Sequence, residues 1–257
     1  MKLGVSYNLF DGEELLEGSV KQIRDHVDYV SVVCQTTSNF GKPCSEDLIP
    51  LLKRLKKEKL LDEVLLYTPE IERGGHFNEI RKRNVGLKAS FEAGCTHHMS
   101  MDCDEYFVSN EFGTLKKLLD KGDYDSSYCQ MLTYYKSWEY ILDPPEDYYV
   151  SLITKINQSS YYVFAAPAPV LVDPTRRIFG LNRPLILKRE QIQMHHGSYI
   201  RNDIRTKLEN SSASINFNQD IDRLVEHYNK WKYPQQALWG GLPSTLKTVR
   251  RIIPFFK

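Results

Sequence analysis

The sequence predicts an α/β protein with a mainly parallel central sheet, helices on both faces and an elaborated C-terminal half. Three observations point there. Over residues 1–110, short apolar runs rich in β-branched residues alternate with segments of helical period. Each run gives way to a polar loop, so those loops gather on the one edge of the sheet where α/β proteins bind ligands. The fourth run ends in two carboxylates separated by one residue, Asp102-Cys103-Asp104.

Taken in order, Lys2–Ser6 reads as a strand that stops at Tyr7-Asn8, and residues 13–26 read as a helix with Leu15, Leu16, Val20 and Ile23 at helical spacing. Tyr29–Cys34 is a second strand, followed by the loop QTTSNFGKP, with Ser45 as N-cap of a helix to Lys59. Val64–Tyr67 is a third strand. Residues 77–93 form a helix with Ile80, Leu87 and Phe91 on one side, closed by Gly94, and His97–Met101 is the fourth strand. After a helix over 112–121, Ser126–Tyr134 and Tyr161–Phe164 read as aromatic strands separated by the break LDPPEDYY. Pro167, Pro169, Pro174 and Pro184 cut the next stretch into short extended pieces, and residues 200–208 and 219–231 read as helices. Without a repeat or a Gly/Ser linker, residues 1–257 are expected to form one domain.

Composition excludes several classes. Lys+Arg of 34 against Asp+Glu of 33 leaves a net charge of +1, which argues against a nucleic-acid binder that relies on a basic surface. With 41% hydrophobic and 26% charged residues the chain is not disordered, and no apolar run is long enough to span a bilayer. Asp11, Glu13 and Glu14 arrive too early for a signal peptide. Five cysteines, an odd number without a CxxC pair, suit a reducing, cytoplasmic setting better than a disulfide scaffold or a zinc ribbon.

The acidic pair carries the chemistry. Side chains two apart on an extended backbone point the same way, so Asp102 and Asp104 are placed to meet one hard divalent cation. Cys103 between them points the other way. The stretch NEIRKRNVGLKASFEAGCTHHMSMDCDEYF, with Arg83-Asn84-Val85-Gly86, Ala93-Gly94 and Asp102-Cys103-Asp104, resembles glycosyltransferases of the GT-A (Rossmann-like) fold, in particular the family 2 type. The resemblance extends more weakly to Tyr7-Asn8 with Glu13 and Glu14, and by motif it covers residues 1–110.

That resemblance implies a nucleotide-sugar donor, with a UDP-sugar as the family default, and Mn²⁺ or Mg²⁺ at Asp102 and Asp104. It implies transfer to an acceptor, a saccharide or a lipid-linked glycan, bound by the C-terminal half. Residues 1–110 would then be the nucleotide-sugar half, 111–218 the acceptor half and 219–257 a helical tail. Tyr7, Asn8, Gln35, Arg81, Asn84 and Cys103 are the residues expected at the nucleotide. At the end of the second strand, where the family often has an Asp, this chain has Gln35, whose amide offers a donor and an acceptor to a uracil edge.

Lys82 and Lys88 read as a solvated helix face. Several GT-A enzymes carry a His from the C-terminal region as a third metal ligand, and MHHGSYIRNDIRTK resembles that element, which implies a ligand here. Neighbouring side chains on an extended strand diverge, so one of the two faces the ion: His196 because Gly197 beside it admits close approach of phosphate, with His195 as runner-up. Tyr199, Arg201 and Lys207 then close over the diphosphate. Inverting transfer needs a carboxylate base, and Glu139 fits best because Trp138 and Tyr140 flank it; Asp143 and Asp173 are the alternatives. The tail TLKTVRRIIPFFK either touches an anionic membrane or docks its aromatics on the domain. Two other readings compete, a GT-A scaffold without turnover and a nucleotidyltransferase, though SYNLFDGEE lacks the Gly-rich basic loop of the latter.

Overall fold

The computed structural model describes residues 1–211, 220–240 and 244–256. The first half follows the alternation of the sequence: β1 (Leu3–Leu9), α1 (Glu13–Ile23), β2 (Tyr29–Cys34), α2 (Leu48–Lys57), β3 (Glu63–Leu66), α3 (Gly75–Glu92) and β4 (His97–Asp102). These strands lie in the order β3-β2-β1-β4, all parallel. Period-two alternation sends Leu3, Val5, Tyr7 and Leu9 of β1 into the main core, where Leu16 and Val20 of α1 and Leu52 of α2 also lie. The other face is built for a close helix. A Cβ on Gly4 would collide with Ser90 of α3, and one on Gly86 of α3 would collide with Ser6, so the small residues let α3 lie directly on β1. Asn8, next on that face, reaches the carboxyl edge beside α3.

Past Asp102 the chain turns sharply through Cys103-Asp104 into β5 (Glu105–Tyr106), then α4 (Ser109–Lys121), β6 (Ser126–Tyr135), β7 (Ser137–Asp143) and β8 (Tyr149–Lys155). β8 pairs antiparallel with β4, and β6 pairs antiparallel with β8 and with β7, so one mixed sheet runs through both halves. β9 (Pro184–Ile186) adds to β6, and β10 (Met194–Tyr199) runs parallel to β6 and antiparallel to β5. α5 (Ile204–Asn210), capped by Asp203, and α6 (Ile221–Lys230) precede the hairpin of β11 (Ala237–Trp239) and β12 (Thr245–Arg251), and β12 extends the sheet beside β7. These last elements bury a second core of Tyr135, Leu208, Leu224, Trp231 and Leu238.

The α/β class and its mainly parallel core are those expected, and several elements differ. β1 runs on through Tyr7-Asn8 to Leu9, because the parallel ladders to β2 and β4 continue there. The LDPPEDYY break is only the turn between β7 and β8. Tyr161–Phe164 forms no strand; a single bridge joins Tyr162 to Ile178, and Asn84 of α3 holds the Tyr162 backbone at both its N–H (2.7 Å) and its C=O (3.0 Å). The expected 200–208 helix starts later, at Ile204. The region after α6 is a β-hairpin and not a helical tail, since β12 has cross-strand partners in β7. The expected boundary at 218–219 lies outside the described residues. Phe256 docks on Tyr106 and Trp138 and Phe255 packs on His195, whereas Ile253 remains 90% exposed, so the tail is anchored through its two aromatics. Among the described residues no helix is long and apolar enough to cross a membrane.

Two fully buried histidines make stability depend on pH. Burial pushes His98 in β4 down to about 3 and His195 in β10 down to about 4, from 6.5. The unfolded chain therefore takes up these protons first, and the stability present above pH 6.5 is lost as pH falls toward the folded values. Glu105, pushed up to about 7, titrates in the opposite sense over the same window, so the histidine effect is read as a difference between variants. The loss of stability from pH 7 to pH 5 in denaturant unfolding is expected to be about 2 kcal/mol smaller in His98→Gln than in the wild type, and an equal loss contradicts burial of His98 in the neutral form.

Candidate active site

The carboxyl ends of β1, β2 and β4 open into a cavity of about 500 Å³. Its floor is the turn after β4. Because the backbone bends at Cys103-Asp104, the two aspartates diverge and do not share one face as extended geometry predicts. Asp102 is turned to Arg176, whose guanidinium reaches Asp102 Oδ2 at 2.6 Å and Glu105 Oε1 at 2.5 Å, while Arg83 stands 3.6 Å from Asp102 Oδ1. Asp104 faces the other way. Its Oδ2 accepts from Arg201 at 2.5 Å, with Lys207 Nζ at 3.4 Å and His196 Nε2 at 3.8 Å.

Electrostatics follow from this division. Burial alone raises both aspartates, but Arg176 and Arg83 overcome it and hold Asp102 at about 2. Lys207 and Arg201 drive Asp104 well below the usual carboxylate range. Glu105 is pushed up to about 7 by burial against the pull of Arg176, and its Oε2 also accepts the backbone N–H of Asp102 at 3.1 Å. Arg176 thus ties the strand end to the turn.

The fold brings His196 here through the pairing of β10 with β5, in which His196 stands opposite Glu105 and His195 opposite Tyr106. His195 points into the core, hydrogen-bonded to Tyr134 at 2.7 Å. Gly197 leaves room for Trp138 and donates its N–H to the Asp104 carbonyl at 2.7 Å, so its role is structural and not a phosphate approach. Tyr199 stacks on Trp239 at 4.2 Å, and its hydroxyl accepts the Gly240 N–H. At the β2 side, Gln35 donates to the Thr37 carbonyl and to Asn39 Oδ1.

Of the expected residues, Asn8, Gln35, Asp102, Cys103, Asp104, His196, Tyr199, Arg201 and Lys207 line the cavity. Five do not. Tyr7 alternates into the core and bonds Ser19 at 3.0 Å. Arg81 is exposed beside Phe77 and outside the cavity, and Asn84 is spent on the Tyr162 backbone. Glu139 and Asp143 point to β12, where Glu139 pairs with Arg251 at 2.8 Å and Asp143 stands 3.7 Å from Arg250. Trp138 and Tyr140 are no sugar platform either: Trp138 packs with Tyr106, Tyr134 and Phe256, and Tyr140 with Trp231 and Tyr233. Lys88 is solvated and pairs with Glu92, whereas Lys82 is buried and lines the cavity, against expectation.

Sequence reasoning missed Glu105, which directly follows the acidic pair, and Arg176, placed by a Pro174 turn with no periodic signal. It also missed Trp239. All five cysteines are free thiols.

A divalent ion fits part of this set. Asp104 and His196 offer a carboxylate oxygen and an imidazole that burial keeps toward its neutral form, a donor pairing suited to Mn²⁺. The Nδ1 of His196 is buried without a hydrogen-bond partner among the described residues, leaving the ring unanchored on that side. Asp102 is turned away to Arg176, and among the described residues no three His, Cys, Asp or Glu side chains are grouped to hold one ion.

Fold and site together define an α/β protein with an ion-paired polar cavity at the carboxyl edge of a parallel sheet. No family model matches the sequence, and no curated protein matches it. Solved structures do. The chain is similar to S. aureus TarS 1-349 in complex with UDP, at 13% identity over 91% of this chain and 76% of that one, TM-score 0.48. It is similar to the same protein with UDP-GlcNAc, at 12% identity over 90% of this chain and 73% of that one, TM-score 0.46. GalNAc-T7 with UDP, GalNAc and Mn²⁺ is similar at 11% identity over 91% of this chain and 52% of that one, TM-score 0.46.

The buried Arg176 gives a direct test of the site's construction. Arg176→Ala leaves Glu105 and Asp102 without their shared counter-ion, and is expected to destabilise by about 3–5 kcal/mol in denaturant unfolding. Adding Glu105→Gln is expected to recover much of that loss. Independent, additive effects contradict the pairing.

Proposed function

We propose that this protein is a glycosyltransferase that moves a sugar from a nucleoside-diphosphate donor, a UDP-sugar by preference, to a saccharide or lipid-linked glycan acceptor, with inversion at the anomeric carbon. One observation supports it above the rest. Asp104, His196, Arg201 and Lys207 converge in a cavity at the carboxyl ends of parallel strands, the edge where α/β folds place phosphorylated ligands. Carboxylates alone would repel a diphosphate. Here Arg176, Arg201 and Lys207 bring positive charge to the same space, so guanidinium and ammonium groups can be shared between protein carboxylates and phosphate oxygens.

Mn²⁺ or Mg²⁺ belongs to this proposal at Asp104 and His196, where it would neutralise charge on the departing diphosphate. The chain's own groups do the remainder. Arg201 and Lys207 bind the diphosphate from the α5 side, and Arg176 from the floor. With Glu139 and Asp143 turned to β12, Asp173 is the acceptor base in this reading. It lines the cavity, and its Oδ1 is fixed by the N–H and hydroxyl of Thr175, both at 2.8 Å. Its carboxylate takes the acceptor hydroxyl proton as that oxygen bonds to the anomeric carbon and the bond to the diphosphate oxygen breaks, with the electron pair leaving on the diphosphate.

Assays with a panel of UDP-sugars and Mn²⁺ test both assignments. Asp104→Ala is expected to lower donor hydrolysis and transfer by about 10²–10³-fold. Asp173→Asn is expected to lower transfer by about 10²-fold or more while UDP binding is retained. Unchanged turnover in Asp104→Ala sinks the donor-site assignment, and unchanged transfer in Asp173→Asn sinks the base.

A further inference from the structure

The last part of the chain carries a charge imbalance that the mean conceals. Residues 221–257 hold seven Lys and Arg against two Asp and Glu, while the whole chain is balanced at 34 against 33. β12 displays part of that charge, because all its side chains except Val249, which enters the second core, are exposed. Period-two alternation sets Lys247 and Arg251 on the Val249 face, and Arg251 stands opposite Tyr140 of β7. Tyr140 in turn stacks on Tyr233 with ring centroids 5.5 Å apart, so the exposed Lys232-Tyr233 pair lies beside Arg251.

Just past β12 the chain is drawn inward. Phe255 packs on His195 at 4.7 Å and Phe256 on Tyr106 at 5.1 Å, and Pro254 has no N–H with which to prolong the ladder to β7. Ile253 is left projecting, the most exposed large apolar side chain among the described residues. Tyr233, 45% exposed, adds a second apolar surface with a phenol tip suited to a polar boundary. Among the described residues no ion pair holds Lys232 or Lys247. Arg250 and Arg251 meet accessible carboxylates, Asp143 at 3.7 Å and Glu139 at 2.8 Å, and surface pairs of this kind are weak enough to be exchanged for phosphate.

We propose that this surface, formed by Lys232, Tyr233, Lys247, Arg251 and Ile253, docks the protein on an anionic lipid bilayer. Ile253 and Tyr233 enter the headgroup layer, and the cations meet lipid phosphates. Charge complementarity chooses the partner: an apolar protein face needs no cluster of cations, a soluble polyanion needs no projecting isoleucine, and an anionic bilayer uses both. Neither signal suffices alone. A single apolar anchor gives marginal, reversible binding, and the attraction of cations to anionic lipid falls off within a Debye length. None of the five residues lines the cavity, so the inference is independent of the donor-site reading.

Co-sedimentation of the full chain with vesicles of phosphatidylcholine, alone or mixed with phosphatidylglycerol, tests this, with thermal melts to check the folding of each variant. The wild type is expected to pellet with the mixed vesicles and to stay in solution with phosphatidylcholine alone. Lys232→Ser and Lys247→Ser are each expected to weaken binding about fivefold, and Ile253→Ser about tenfold. Leu66→Ser is the control. Leu66 is 72% exposed on β3, at the opposite end of the sheet, and its replacement is expected to leave binding unchanged. A wild type that ignores the mixed vesicles overturns the inference, as does Ile253→Ser binding as tightly as the wild type, which makes the patch a general polyanion site. A dimer that Ile253→Ser dissolves assigns the patch to a second copy of the chain and overturns it too.

Discussion

The candidate site depends on holding several charges at the end of a buried parallel sheet, where each unpaired one would be costly. Arg176 meets this constraint for Asp102 and Glu105 together, and Arg201 with Lys207 meets it for Asp104. Neither set alone suffices. Removing a guanidinium would leave a carboxylate in low dielectric, and removing a carboxylate would leave a buried cation. The near-neutral net charge of +1 therefore describes a chain whose strongest fields are local and opposed.

Those cations come from far along the chain, and the second half of the fold exists in part to deliver them. β10 pairs with β5 and so fixes His196 opposite Glu105. Arg201 follows two residues after β10, and Lys207 lies on α5, which the second core holds down through Leu208. Phe256 packs on Tyr106 beneath the same β5–β10 pairing, so the tail braces the element that carries the histidines. The turn at Cys103-Asp104 then gives each carboxylate its own cationic partners.

Local signals in the sequence were readable because they rest on period and chain chemistry. The parallel half follows from β-branched runs alternating with helices, and Asp102, Asp104 and Gln35 fall at strand ends that this alternation defines. What escaped is what depends on tertiary pairing. β12 reads as a basic amphipathic tail until β7 is seen beside it, and Glu139 reads as a base until Arg251 is seen to hold it. Lys82 looks solvated because its helix is basic, yet the small residues Gly4 and Gly86 draw α3 so close to β1 that position 82 is enclosed. Arg176 had no signature, since a Pro-initiated turn carries no periodicity.

The central claim is that this cavity is a donor site in which the base lies on the β2 side and the diphosphate lies over the turn after β4. A crystal structure of the full chain soaked with UDP and Mn²⁺ tests it most directly. The account predicts density for the base beside Asn8 and Gln35, with the diphosphate between Arg201, Lys207 and the Asp104–His196 pair. UDP bound elsewhere on the molecule, or bound in the cavity with the diphosphate at Gln35 and the base over Asp104, would contradict it.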